Sequence, residues 1–74
     1  MPGEQLTLGS LVPQARELLA AAAPYREYGE HYDRAVADSA FWLADGLDRE
    51  FSEESVGVRM RELQARLAVA APLS

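Results

Sequence analysis

The densest run of chemically capable side chains lies between Tyr25 and Tyr32, where Arg26, Glu27, Glu30 and His31 are interleaved with Tyr25, Tyr28 and Tyr32. Glu27 and His31 are four residues apart, so on a helix both could reach one divalent ion. Two ligands fall short of the four that structural zinc takes, although a symmetric dimer would double the number. The Glu-x-x-His pattern of di-iron bundles is absent, because position 28 is Tyr28. A plainer reading is a solvated ladder of Arg26, Glu30, Arg34 and Asp38 with His31 beside it, and no metal or cofactor is expected.

The tyrosines could stack on bases only in a basic setting. Residues 24–55 carry nine acids and three arginines, a net of −6 that repels a phosphate backbone. Arg59, Arg61 and Arg66 make the C-terminal part mildly basic, yet three arginines on one helix read as a solvated face, so no direct nucleic-acid binding is expected. No nucleophile–base pair or Gly-rich phosphate loop is found. Ser39, Ser52 and Ser55 read as seam or cap residues, and no catalysis is expected.

These residues must be positioned by helices. Ala, Glu, Leu and Arg supply 38 of the 74 residues, against five Val, one Thr and no Ile, which points to an all-α chain. Without cysteine, and with His31 the only histidine, stability has to come from packed apolar surface. Lys and Asn are also missing while Ala, Arg and Gly abound, as in GC-rich bacterial or phage coding sequences. The longest apolar run is the six residues from Leu18 to Ala23, and the first ten residues hold no basic residue and no apolar stretch. No membrane span is expected, and a cytoplasmic location is.

Residues 1–10, with Pro2, Gly3 and Gly9, read as a flexible tail ahead of a single helical domain over 11–71. Ser10 is placed to cap a first helix over 11–22, with Pro13 in its opening turn and Leu11, Ala15, Leu18, Leu19 and Ala22 on one face. Pro24 is expected to end that helix and open a second over 25–45. The second helix carries Tyr25, Tyr28, Tyr32, Ala35, Ser39, Trp42 and Gly46 at heptad spacing, which makes Trp42 a core anchor, with Val36, Ala40, Leu43 and Leu47 alongside. Asp45-Gly46-Leu47 fits a Schellman stop; the competing reading continues the helix to Phe51. Ser52 then caps a third helix over 53–70, with Glu53 and Glu54 in its first turn, Phe51 stapling onto Val56, and a seam of Val56, Met60, Leu63, Leu67 and Ala70.

Helices of these lengths span roughly 18, 30 and 27 Å, so the first cannot cover the other two, and a small three-helix bundle dimerising through its long helices is expected. Phe41, Trp42 and Leu43 are consecutive and point about 100° apart, so at least one faces a second surface. Phe41, flanked by Ala37 and Ala44, is the candidate. The expected function is a non-catalytic protein–protein interaction module: an adaptor, inhibitor or accessory subunit acting as an acidic helical homodimer. Phe41, Trp42, Leu43 and Leu47 would supply apolar contact, and Asp48, Glu50, Glu53 and Glu54 would steer a basic protein partner. The alternative is an acidic regulator of a nucleic-acid system, either a phage-type mimic or an antitoxin-like protein.

Overall fold

Three helices, α1 (Leu8–Arg26), α2 (Arg34–Asp48) and α3 (Glu53–Val69), build the computed structural model, which describes residues 8–72. Among the described residues there is no strand, and each helix packs against both others. The chain is an all-α three-helix bundle. Leu11, Ala15 and Ala22 of α1 meet Val36, Ala40 and Leu43 of α2 and Val56, Met60 and Leu63 of α3 in one buried cluster, with Leu18, Leu19, Leu47 and Leu67 packed on its rim. The apolar faces of the first and third helices are those that the 3.6-residue period marks.

The helix boundaries differ from expectation everywhere except at the start of α3. Helix α1 already includes Leu8, Gly9 and Ser10, so Ser10 is not its cap; the remainder of the expected tail, residues 1–7, lies outside the described residues. Both Pro13 and Pro24 stand inside α1. Pro24 is exposed, and the carbonyl it deprives of an amide partner belongs to Ala20, itself exposed to water. One further turn brings Tyr25 onto the buried face below Ala22, where its hydroxyl donates a 2.8 Å hydrogen bond to the Ala71 carbonyl. Burying that ring outweighs the local preference of proline to break the helix.

The second helix therefore starts at Arg34 rather than Tyr25. Asp33 caps it: Oδ1 accepts the Ala35 and Val36 amides at 2.9 and 3.2 Å, while the Asp33 amide donates to the Tyr25 carbonyl at 2.9 Å and closes the linker. Tyr28 and Tyr32, expected on a helical seam, sit in that linker, stacked on each other with ring centroids 4.6 Å apart.

At its other end α2 stops between the two expected points. Gly46 is helical and buried. The Phe51 amide donates to the Gly46 carbonyl at 3.0 Å and the Glu50 amide to the Leu47 carbonyl at 3.2 Å, the Schellman pattern set one turn later, with Glu50 in the left-handed region at φ 54°. Helix α3 begins as expected, with Ser52 Oγ accepting the Ser55 amide at 3.2 Å, and ends at Val69, one residue short of the expected end.

These boundaries give helices of 19, 15 and 17 residues, about 28, 22 and 26 Å long. The expected short first helix and the exposed end of a long pair are not present. The molecule measures 44 × 25 × 15 Å, and its largest fully buried side chains are Leu43, Leu63, Val36 and Val56. Its core is thin rather than incompletely covered at one end.

Candidate interaction surface

Helix α2 sends Phe41, Trp42 and Leu43 in three directions. Leu43 is fully buried at the centre of the core and so, contrary to expectation, is no part of an outer docking face. Leu47 is half-buried and packs against the same core. Phe41 is 67% exposed, as its spacing requires, and Trp42 is 40% exposed rather than a core anchor. Of the α2 part of the seam through Trp42, Ser39 and Gly46 are buried but Ala35 and Trp42 are not, and the apolar core side chains come from the parallel stripe of Val36, Ala40 and Leu43.

Trp42 faces α3, where Arg59 holds it. The Arg59 guanidinium lies 4.6 Å from the Trp42 ring centre and 4.7 Å from that of Phe51, its Nη1 donates to the Trp42 carbonyl at 2.8 Å, and its Nε donates to Ser55 Oγ at 3.3 Å. The arginine stem crosses Gly46: a Cβ on that glycine would stand 3.0 Å from Arg59 Cδ. An arginine read from sequence as part of a solvated basic face is thus a clamp between two aromatic rings. The signal for it was Gly46, one turn after Trp42, which leaves a slot beside an aromatic side chain.

On the other side of Trp42 a groove of about 600 Å³ opens between α2 and α3, lined also by Arg34, Ala35, Asp38, Ser39, Glu62 and Arg66. Each arginine is paired within its own helix, Arg66 with Glu62 at 2.8 Å and Arg34 with Asp38 at 3.7 Å. Its walls are balanced in charge, and the indole supplies the apolar contact.

Asp48, Glu50, Glu53 and Glu54 are all exposed around the turn between α2 and α3, and among the described residues none of them makes an ion pair. They form an acidic rim around that turn, Asp48 lining a groove with Val12, Arg16 and Leu19 of α1, and Glu53 and Glu54 another with Leu11 and Arg61. Glu27 and His31 are exposed in the linker, and among the described residues no group of three metal-ligating side chains converges. The Tyr32 hydroxyl is raised above its ordinary pKa, first by desolvation, then by charge and hydrogen-bond coupling to Tyr28 and by Asp38, with Arg34 opposing. Among the described residues no buried polar side-chain atom lacks a hydrogen-bond partner, and no helix is long and apolar enough to cross a membrane.

Comparison with protein families, with curated proteins and with solved structures finds no match for the chain. The surface itself is therefore the basis for a functional reading.

Proposed function

We propose that the chain is a non-catalytic, cytoplasmic protein–protein interaction module that works as a small acidic homodimer and docks a basic protein partner through α2. The observation that carries this reading is Phe41, 67% exposed at the middle of α2 in a molecule with a thin core. Burying a ring of that size contributes about 1.5–3 kcal/mol, a large fraction of what a small bundle needs. Trp42 adds a second aromatic contact about 100° away on the same helix. The acidic rim of Asp48, Glu50, Glu53 and Glu54 accelerates encounter with a basic surface, whereas apolar burial sets how long the complex lasts.

Phe41→Ala tests this. The ring lies outside the core, so far-UV helicity stays unchanged, while the mass at a given concentration falls and a partner cross-linked to the wild-type chain in its host extract is lost. Unchanged mass together with unchanged partner capture removes the role. Binding by apolar contact persists at high salt, whereas binding as an acidic nucleic-acid mimic collapses there.

A further inference from the structure

A second seam runs along α2, from its first residue to its last. Arg34, Ala37, Phe41, Ala44 and Asp48 follow one another at spacings of three, four, three and four, on a stripe of the helix that excludes Leu43. Arg34, Phe41 and Asp48 are exposed, and Ala37 and Ala44 are half-buried. Read in the opposite direction the seam keeps its sizes and exchanges its end charges: a basic end, a small residue, an aromatic centre, a small residue, an acidic end.

We propose that two copies of the chain pair α2 antiparallel along this seam, with Phe41 at the two-fold axis. Ala37 then lies against Ala44 of the second copy, and Arg34 faces Asp48 of the second copy, twice by symmetry. The parallel alternative sets Arg34 against Arg34 and Asp48 against Asp48, which like-charge repulsion disfavours. The alanines let the two backbones approach, so that each Phe41 ring fills space beside the axis. Both charged ends are available: Arg34 holds Asp38 only loosely, at 3.7 Å with both side chains largely exposed, and Asp48 makes no ion pair among the described residues. A contact one helix long predicts a weak, concentration-dependent dimer. This inference rests on the self-association part of the proposed function: it places Phe41 and Asp48 between the two copies and leaves Trp42 with Glu50, Glu53 and Glu54 for the other partner, so that loss of partner capture in Phe41→Ala follows from loss of the dimer.

The full chain is tested by sedimentation across a concentration series and by cross-linking. Arg34→Glu alone and Asp48→Arg alone each weaken dimerisation about tenfold, because each puts like charges together at both contacts. Mixed in equal amounts, the two variants recover wild-type association. In the mixed dimer the introduced glutamate faces the introduced arginine at one contact, and the native Arg34 faces the native Asp48 at the other. Both substitutions place the charge that the α2 dipole favours at that end, so loss of the helix is not the cause of any weakening. The chain has no cysteine, so introduced ones report alone. A mixture of Ala37→Cys and Ala44→Cys oxidises to a covalent dimer, whereas either alone does not, its thiols being offset by about 9–12 Å along the axis. A dimer that Phe41→Ala weakens but that lacks this cross-linking pattern overturns the antiparallel seam and leaves the homodimer reading in place. A monomer at every concentration overturns the seam and the self-association together, and partner capture then decides the rest of the proposed function.

Discussion

At the scale of single residues, Arg59 is the clearest case of a charged side chain used for packing. Its planar guanidinium meets the Trp42 ring at 4.6 Å and the Phe51 ring at 4.7 Å while its Nη1 donates to the Trp42 carbonyl at 2.8 Å, and a lysine reproduces the charge without the plane or the fork. The same contact explains Gly46, a residue that costs about 1 kcal/mol inside a helix relative to alanine and stands here because the Arg59 stem needs its space. Arg59→Ala is expected to cost about 1–2 kcal/mol, with Arg59→Lys recovering only part. Trp42 is the single tryptophan, so native emission reports the clamp directly: the spectrum shifts to the red as the indole loses its cover. An unchanged urea midpoint and an unchanged spectrum in Arg59→Ala show that the arginine merely rests on the surface.

At the scale of elements, the turn between α2 and α3 places Glu50 at φ 54°, where a Cβ crowds the carbonyl that follows and glycine is at ease. Glu50→Gly is expected to raise stability by about 1 kcal/mol, seen as a higher urea midpoint at constant slope, because the Schellman bonds to Gly46 and Leu47 stay in place. A lower midpoint shows that the Glu50 side chain contributes more than its backbone conformation costs. This turn also marks what can be read from sequence. The start of α3 was legible because its signals are local, a Ser52 cap followed by two acids. The end of α2 was not, since Gly46 looks like a turn residue until Arg59, thirteen positions on, is seen to require it. Pro24 misled for a related reason: its local preference is outweighed by Tyr25, whose bonding partner Ala71 is 46 residues away. Tyr28 and Tyr32 continue a heptad pattern by coincidence of spacing, and Asp33, which caps α2, lies between two of its positions without interrupting it. Phe41 was legible because three consecutive large residues on a helix cannot share one face, whatever the tertiary packing.

At the scale of the whole molecule, a slab 15 Å thick has little interior, so contacts that tie its extremities together carry unusual weight. The bond from the Tyr25 hydroxyl to the Ala71 carbonyl is one of these: it joins the last turn of α1 to the chain just beyond α3. Tyr25→Phe keeps the buried ring and removes only the hydroxyl, which leaves the Ala71 carbonyl to water, and the expected loss is about 0.5–1.5 kcal/mol. Tyr25→Ala also empties the site of the ring and costs about 3–5 kcal/mol, a substantial share of the stability of so small a fold. Hydrogen exchange separates a latch from general destabilisation. If the bond holds the end of α3, the amides of its last turn, up to Ala70, exchange faster in Tyr25→Phe than the global change in stability accounts for, while those of α2 follow the global change alone. Uniform acceleration across all three helices means that the hydroxyl contributes to the fold as a whole and that the end of α3 is held by Leu67 and Ala70 on the core instead.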